Sequence, residues 1–305
     1  IIAYSFLSVG GGAEPSLGNA IAVDGLNGPV QKIALNPHGG SATFAGMFSG
    51  KVKVYSVNEG TFTYVSDVQI NSTIPDIHIN SIAYNPNGTR LILGGYRESI
   101  GETAGVAFVF SVDGTTITYL YDLVIDGQTT FNGAITDVRF SPDGSLIVVS
   151  GLTGNVIKVL YFEQAASSGS DTLIDLQDVS ASTADNGIVN KAIFSPNTSL
   201  LVAIGSMSEK GIQYRIRASS RVFALNAGLQ TELVVQKIGN RISLLQNGAS
   251  LGMVQQGENI DQIIYALTPT VLNVYQFSNG FLVGEPAQIN LSYEQQTINT
   301  ATLYG

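Results

Sequence analysis

Apolar residues in this 305-residue chain fall in short bursts, and no stretch of helical spacing is long enough to predict a helix. Some bursts are almost continuous: Leu91-Ile92-Leu93, Leu146-Ile147-Val148-Val149 and Leu200-Leu201-Val202-Ala203-Ile204. Unbroken apolarity over so few residues suits a strand covered on both faces. Other bursts alternate, as in Lys51-Val52-Lys53-Val54-Tyr55-Ser56-Val57 and Val156-Ile157-Lys158-Val159-Leu160-Tyr161, which predicts strands with one covered face. A Gly-containing hairpin, Gly151-Leu152-Thr153-Gly154-Asn155, joins the two kinds. More polar strands follow, for example Thr116-Ile117-Thr118-Tyr119 before Leu123-Val124.

These elements recur in one order, each time behind the same phrase. Ile33-Ala34-Leu35-Asn36-Pro37 is followed by Ile82-Ala83-Tyr84-Asn85-Pro86-Asn87-Gly88, Val138-Arg139-Phe140-Ser141-Pro142-Asp143-Gly144 and Ala192-Ile193-Phe194-Ser195-Pro196-Asn197. The prolines stand 49, 56 and 54 residues apart. Each phrase is a short strand running into a tight turn, where Pro presets φ and Asn, Asp or Gly tolerates positive φ. A period of about 50 residues built from four strands is that of a β-propeller blade.

Phe140-Ser141-Pro142-Asp143-Gly144-Ser145-Leu146-Ile147-Val148-Val149 resembles the signature of WD-repeat and YVTN-type propellers, which include lactonase-like and quinoprotein-like families. The resemblance spans residues 31 to about 205. The chain contains no Trp, so a repeat bearing the Trp-Asp dipeptide is disfavoured. Resemblance of this kind implies the fold and leaves the activity open, because propellers host unrelated functions.

The last third departs from the phrase. Glu232-Leu233-Val234-Val235 and Arg241-Ile242-Ser243-Leu244-Leu245, with a turn at Asn247-Gly248, predict one hairpin-rich unit. Ile263-Ile264-Tyr265-Ala266-Leu267, Val271-Leu272-Asn273-Val274-Tyr275-Gln276-Phe277 and Phe281-Leu282-Val283 predict another. Ile298-Asn299-Thr300-Ala301-Thr302-Leu303-Tyr304 is similar to Ile79-Asn80-Ser81-Ile82-Ala83-Tyr84 and reads as the first strand of a further blade. Ile1 to Leu7 and Ala20 to Val23 are candidates for its outer strands. Pairing the two termini in one blade would close the ring and remove exposed sheet edges. The expectation is an all-β single domain, residues 1–305, of six four-stranded antiparallel blades, with seven as the alternative count.

Charge narrows the partners. Only 12% of residues are charged, about half the usual share, and the net charge is −9. That balance argues against wrapping a nucleic-acid backbone. No apolar run approaches the length of a membrane-spanning helix. The chain has no Cys, so disulfide and thiolate chemistry are out. It opens on Ile, so the expectation is a processed or truncated chain.

Candidate chemistry is sparse. His38 fills a turn slot that other copies give to Asn or Asp, which points to turn geometry. His78, before a strand, reads as a strand-edge polar residue. Two separated His and no Cys argue against structural zinc. Val9-Gly10-Gly11-Gly12-Ala13-Glu14 lacks the Gly-Lys-Ser/Thr ending of a phosphate cradle and reads as a loop. Asp113-Gly114, Asp126-Gly127 and Asp143-Gly144 read as hairpin turns; calcium held by loop carbonyls stays open. Four glycosylation sequons, at Asn71, Asn87, Asn197 and Asn290, do not by themselves assign a compartment. Arg215, Arg217 and Arg221, near Lys210 and Tyr214, form the one basic concentration. They read either as a solvated edge strand or as a partner-binding patch.

No catalytic, cofactor-binding or metal-ligating residue is assigned, and the reading leans away from an enzyme. The expected function is a non-catalytic structural or interaction propeller outside a cell or on a virus particle. Its loops would contact neighbouring subunits, a receptor or a glycan. One alternative is a lactonase-like hydrolase working at the central channel, where Asp76, Glu98 and Asp261 are loop acids without a recognisable set. A second is an intracellular WD-repeat-like scaffold.

Overall fold

The computed structural model describes residues 2–7, 16–23, 26, 30–46, 50–58, 61–70, 77–99, 102–125, 127–152, 156–165, 170–180, 189–194, 200–205, 210–225, 228–237, 242–243, 250–256, 260–268, 271–278, 281–282 and 287–290. Every described element is a β-strand. β1 (Ile2–Leu7) and β2 (Ser16–Ala22) pair with each other. β3 (Val30–Leu35), β4 (Gly40–Gly46), β5 (Lys51–Asn58) and β6 (Thr61–Gln69) form an antiparallel meander in chain order. So do β7 (Ile77–Tyr84), β8 (Arg90–Ser99), β9 (Glu102–Asp113) and β10 (Thr116–Asp122), with the short β11 (Phe131–Asn132) added on β9. The third sheet is β12 (Asp137–Phe140), β13 (Leu146–Leu152), β14 (Val156–Glu163) and β15 (Thr172–Ser180).

The fourth sheet is β16 (Val189–Phe194), β17 (Leu200–Gly205), β18 (Lys210–Leu225) and β19 (Gly228–Lys237), with β20 (Ile242–Ser243) on β18. The fifth is β21 (Ser250–Gln256), β22 (Ile260–Thr268), β23 (Val271–Ser278) and β24 (Phe281–Leu282), with β25 (Ala287–Asn290) on β23. First strands lie against first strands along the series: β3 on β7, β7 on β12, β12 on β16 and β16 on β21. Sheets that share an inner edge in this way are propeller blades, as the repeat predicts. The candidate closing strand, Ile298 to Tyr304, lies outside the described residues.

The continuous apolar strands β8 and β13 are covered on both faces. In β8, Leu91 and Leu93 join Val52, Val54, Ile79, Phe108 and Phe110 in one fully buried cluster. Ile92, one residue away, joins Ala107, Val109, Leu123, Ile135, Val138, Ile147, Val149 and Leu160 in another. Successive side chains of one strand therefore serve two inter-blade cores. Each fully buried aliphatic or Phe side chain contributes roughly 1.5–3 kcal/mol.

The turns form seams between blades. Asn36 accepts from the His38 N–H at 3.0 Å and donates across 52 residues to the Gly88 carbonyl at 2.9 Å. Gly88 adopts φ +63°, and a Cβ there would come within 2.2 Å of Asn36 Oδ1. Asn85 accepts from the Thr89 and Arg90 N–H groups, and Ser141 Oγ accepts from the Leu146 N–H at 2.8 Å. In the three described turns the Asn/Ser before the proline thus closes its own turn, and in the first turn it also reaches the next.

Candidate functional site

The residue five places before each turn proline occupies one structural slot: Lys32 in β3, Ser81 in β7, Asp137 in β12 and Lys191 in β16. Because these first strands converge, the slots come together around a cavity of about 210 Å³. Arg139, two residues beyond Asp137, also lines it. Asp137 is buried; Oδ1 accepts from Ser81 Oγ at 2.8 Å and Oδ2 from Arg139 Nε at 2.9 Å. Ser81 Oγ in turn accepts from the Val138 N–H at 3.1 Å, tying β7 to β12.

Lys191 is buried, and its ammonium is pulled down to about 7 by burial and then by the Arg139 charge, against the opposing pull of Asp137. Lys32 is lowered by burial, with Asp137 opposing and Arg139 assisting. The lining thus carries three cationic groups and one carboxylate among the described residues. Such a set can hold an anion. The sequence reading missed it because its members are spread over 160 residues. The signal was present all the same: Lys32, Asp137 and Lys191 share a place in the repeat.

A second feature lies on the outer strands. Thr61-Phe62-Thr63-Tyr64-Val65-Ser66-Asp67 in β6 matches Thr116-Ile117-Thr118-Tyr119-Leu120-Tyr121-Asp122 in β10. In both, one extra residue interrupts the ladder. Tyr55 pairs with Tyr64 and Val54 with Ser66, so Val65 bulges; Phe110 pairs with Tyr119 and Val109 with Tyr121, so Leu120 bulges. The same irregularity recurs at Leu176 in β15. Tyr64 and Tyr119 sit edge-on against Tyr55 and Phe110, with centroids 5.7 and 5.8 Å apart. Their hydroxyls donate to Asp67 and Asp122 at 2.9 and 2.7 Å. The Asp67 bond raises the Tyr64 phenol; burial and then Asp122 push Tyr119 up to about 12. Tyr64, Val65, Tyr119, Leu120 and Val124 are 40–46% exposed, so strands expected to be polar display bulky apolar side chains.

The residues singled out from sequence are dispersed. His38 is exposed in its turn, as turn geometry requires. His78 lies inside β7 rather than before a strand, half-buried and stacked on Tyr96 at 4.8 Å. Gly114, Gly127 and Gly144 adopt positive φ in turns, and Asp143 accepts from the Ser145 N–H at 3.0 Å. Arg215, Arg217 and Arg221 lie in β18, which runs between β17 and β19. Pairing with β17 ends at Arg215, whereas pairing with β19 continues to Leu225, so Arg217 and Arg221 sit on a two-stranded extension of the blade. Glu98 is exposed in β8, Asp261 is in β22, and Asp76 and the glycine run at 10–12 lie outside the described residues. Among the described residues no three His, Cys, Asp or Glu side chains converge as a metal centre would require.

Comparison with known proteins agrees with this architecture. The family description "WD domain, G-beta repeat" matches residues 125–159, despite the absent Trp-Asp. No curated protein sequence matches the chain. Among solved structures, a candidate 6-phosphogluconolactonase from Bacteroides uniformis ATCC 8492 superposes with a TM-score of 0.61 at 16% identity, covering 95% of this chain and 80% of that one. KlAtg21, in complex with the coiled-coil of AgAtg16, gives 0.59 at 14% identity, over 95% and 82%. Sqt1 from Chaetomium thermophilum, bound to the N-terminus of the ribosomal protein L10, gives 0.56 at 16% identity, over 93% and 68%. At such identities the likeness is one of fold. The repeat, the family match over residues 125–159 and the shared architecture together give this chain a fold of β-propeller type.

Proposed function

We propose that this protein is a non-catalytic interaction propeller, displayed on a virus particle or a cell surface, whose partners are neighbouring protein subunits. The observation that carries the reading is the repeated outer-strand display of Tyr64-Val65 and Tyr119-Leu120. A bulge on an edge strand discourages strand addition, and a polar residue at the bulge would serve that end. Val and Leu in its place favour docking through side chains. Tyr with an apolar neighbour and little charge is the composition of protein contact surfaces. Sqt1 and KlAtg21, propellers of similar fold solved with protein segments bound, support a protein partner. The extension bearing Arg217 and Arg221 is a second contact in this reading.

The lactonase-like alternative would use the inner cavity. Its described lining offers no His and one carboxylate, already engaged by Ser81 and Arg139, which favours acid–base hydrolysis less.

The test is the native mass of the protein isolated from its source, followed by association of the purified chain with its assembly. Val65→Asp with Leu120→Asp should leave a folded chain by circular dichroism and weaken association at least tenfold, the scale of one interface hot spot. Arg217→Glu should weaken it further. Association unchanged in the double variant overturns the rim reading. A metal-bearing monomer that turns over lactones would support the hydrolase.

A further inference from the structure

We propose that the arginine-bearing extension of β18 and β19 in one copy docks on the outer strand β10 of a second copy, bringing Arg217 and Arg221 to Asp122. The inference rests on the outer-strand contact reading and names its partner. β18 and β19 carry Lys210, Arg215, Arg217, Arg221 and Lys237 against Glu232, in a chain with 14 Lys and Arg, 23 Asp and Glu and a net charge of −9. The rest of the chain is thus more acidic than the whole. Copies that meet extension to body meet with opposite charge, which steers encounter and fixes register. Beyond Arg215, β18 has left β17 and pairs with β19 alone among the described strands. There Arg217 stands opposite Val234, Ala218 opposite Leu233 and Phe223 opposite Gln230, and Arg221 falls in the irregular stretch between Ala218 and Val222. The extension therefore sets cations among apolar residues.

The receiving strand differs from its counterparts at one place. Asp67 in β6 stands opposite Lys53 of β5, whose ammonium reaches it at 2.9 Å. Lys158 of β14 holds the same place in the third sheet, opposite Asp178 and 3.6 Å from Asp175. Asp122 in β10 stands instead opposite Phe108 of β9. The second sheet thus keeps the outer-strand aspartate and has an aromatic ring where the cross-strand cation would be. Tyr119 donates to Asp122 at 2.7 Å, and among the described residues no cation pairs with that carboxylate. Beside it Tyr119, Leu120 and Val124 are exposed. A carboxylate among bulky apolar side chains is the complement of cations among apolar residues. Extension and strand are different surfaces of one chain, so each copy gives one and receives one. Such a heterologous contact builds a ring or a filament.

The experiment is sedimentation velocity of the full chain over a concentration series, at low salt and in molar salt. The wild type should associate as concentration rises and come apart in molar salt, where the screening length is about 3 Å. Arg217→Glu with Arg221→Glu should weaken association at least tenfold, and so should Asp122→Lys. The two variants alter different sheets, so if circular dichroism shows one unfolded the other still tests the contact. Combining all three charge reversals in one chain should restore association, which ties the arginines to Asp122. A wild type that stays monomeric at every concentration, or reversals that associate like the wild type, overturns the proposal. So does a folded combined variant no better than either reversal alone. A monomeric wild type that still joins the assembly from its source, and joins it more weakly as Val65→Asp with Leu120→Asp, overturns the second copy as partner and leaves the outer-strand reading in place.

Discussion

Single residues hold the seams between blades. Asp171 has a fully buried side chain, and its two oxygens take Arg90 Nε and Nη2 at 2.8 Å each. The same carboxylate accepts from Tyr121 Oη at 2.8 Å and the Ala165 N–H at 2.9 Å. Asp171→Asn leaves the Arg90 charge without its partner, and the expected loss is about 3–5 kcal/mol in urea unfolding. A loss under about 1 kcal/mol would show the clasp to be incidental. Burial pushes the Asp171 carboxyl up, but bonds from Arg90, Ala165 and Tyr121 outweigh it and hold the group below its ordinary value. Its stabilisation is thus complete above the ordinary carboxylate range and is lost as pH falls through the folded value. Acid should therefore destabilise the wild type more than Asp171→Asn. Sequence reading had no access to this clasp: Arg90 and Asp171 are 81 residues apart. His38 and Asp143, by contrast, were legible, because a turn residue's chemistry is fixed by its neighbours.

At the level of the element, the turn after each first strand was readable down to its Asn, Pro and Gly. What the turns touch was not. Gly39 and Gly88 both adopt positive φ, but a Cβ on Gly39 meets nothing within 4 Å, whereas one on Gly88 meets Asn36. Gly39→Ala should cost the backbone penalty alone, about 1 kcal/mol. Gly88→Ala should cost more, up to about 3 kcal/mol, because the seam to the first blade must open. Thermal unfolding of the pair checks this, and equal costs would remove the seam from the account. The outer strands show why alternation misleads. Thr116-Ile117-Thr118-Tyr119 predicts a regular strand, yet Leu120 bulges from β10 and becomes an exposed apolar knob. A bulge depends on the pairing partner, and the partner's register is not written in the bulged strand.

Across the whole molecule, the period of the prolines was enough to predict blades. Burial of Ile92 and Leu91 in different cores confirms why β8 needs no polar face. The fifth sheet keeps the strand pattern without the repeated proline turn, so its identity rests on pairing rather than on any phrase. The cationic lining gives the molecule a pH dependence of the same sign as that of Asp171, but in an alkaline window. Burial first, then neighbouring cations, pull Lys191 to about 7 in the folded state from an ordinary value of 10.5. Between these values the unfolded chain binds more protons, so stability rises with pH across that window. The urea midpoint should therefore climb from about pH 7 to about pH 10 in the wild type and flatten in Lys191→Met. A midpoint that falls over this range, or a climb retained in the variant, would show that Lys191 is not the group responsible.

The slot five residues before the turn proline has a consequence for the cavity as a whole. Lys32, Ser81, Asp137 and Lys191 hold equivalent positions on strands whose folding is secured elsewhere, by turns and inter-blade cores. The scaffold and the lining are thus separately editable. Each of these four blades contributes one letter to the cavity, and changing a letter rewrites the lining while the spelling of the blade stays the same.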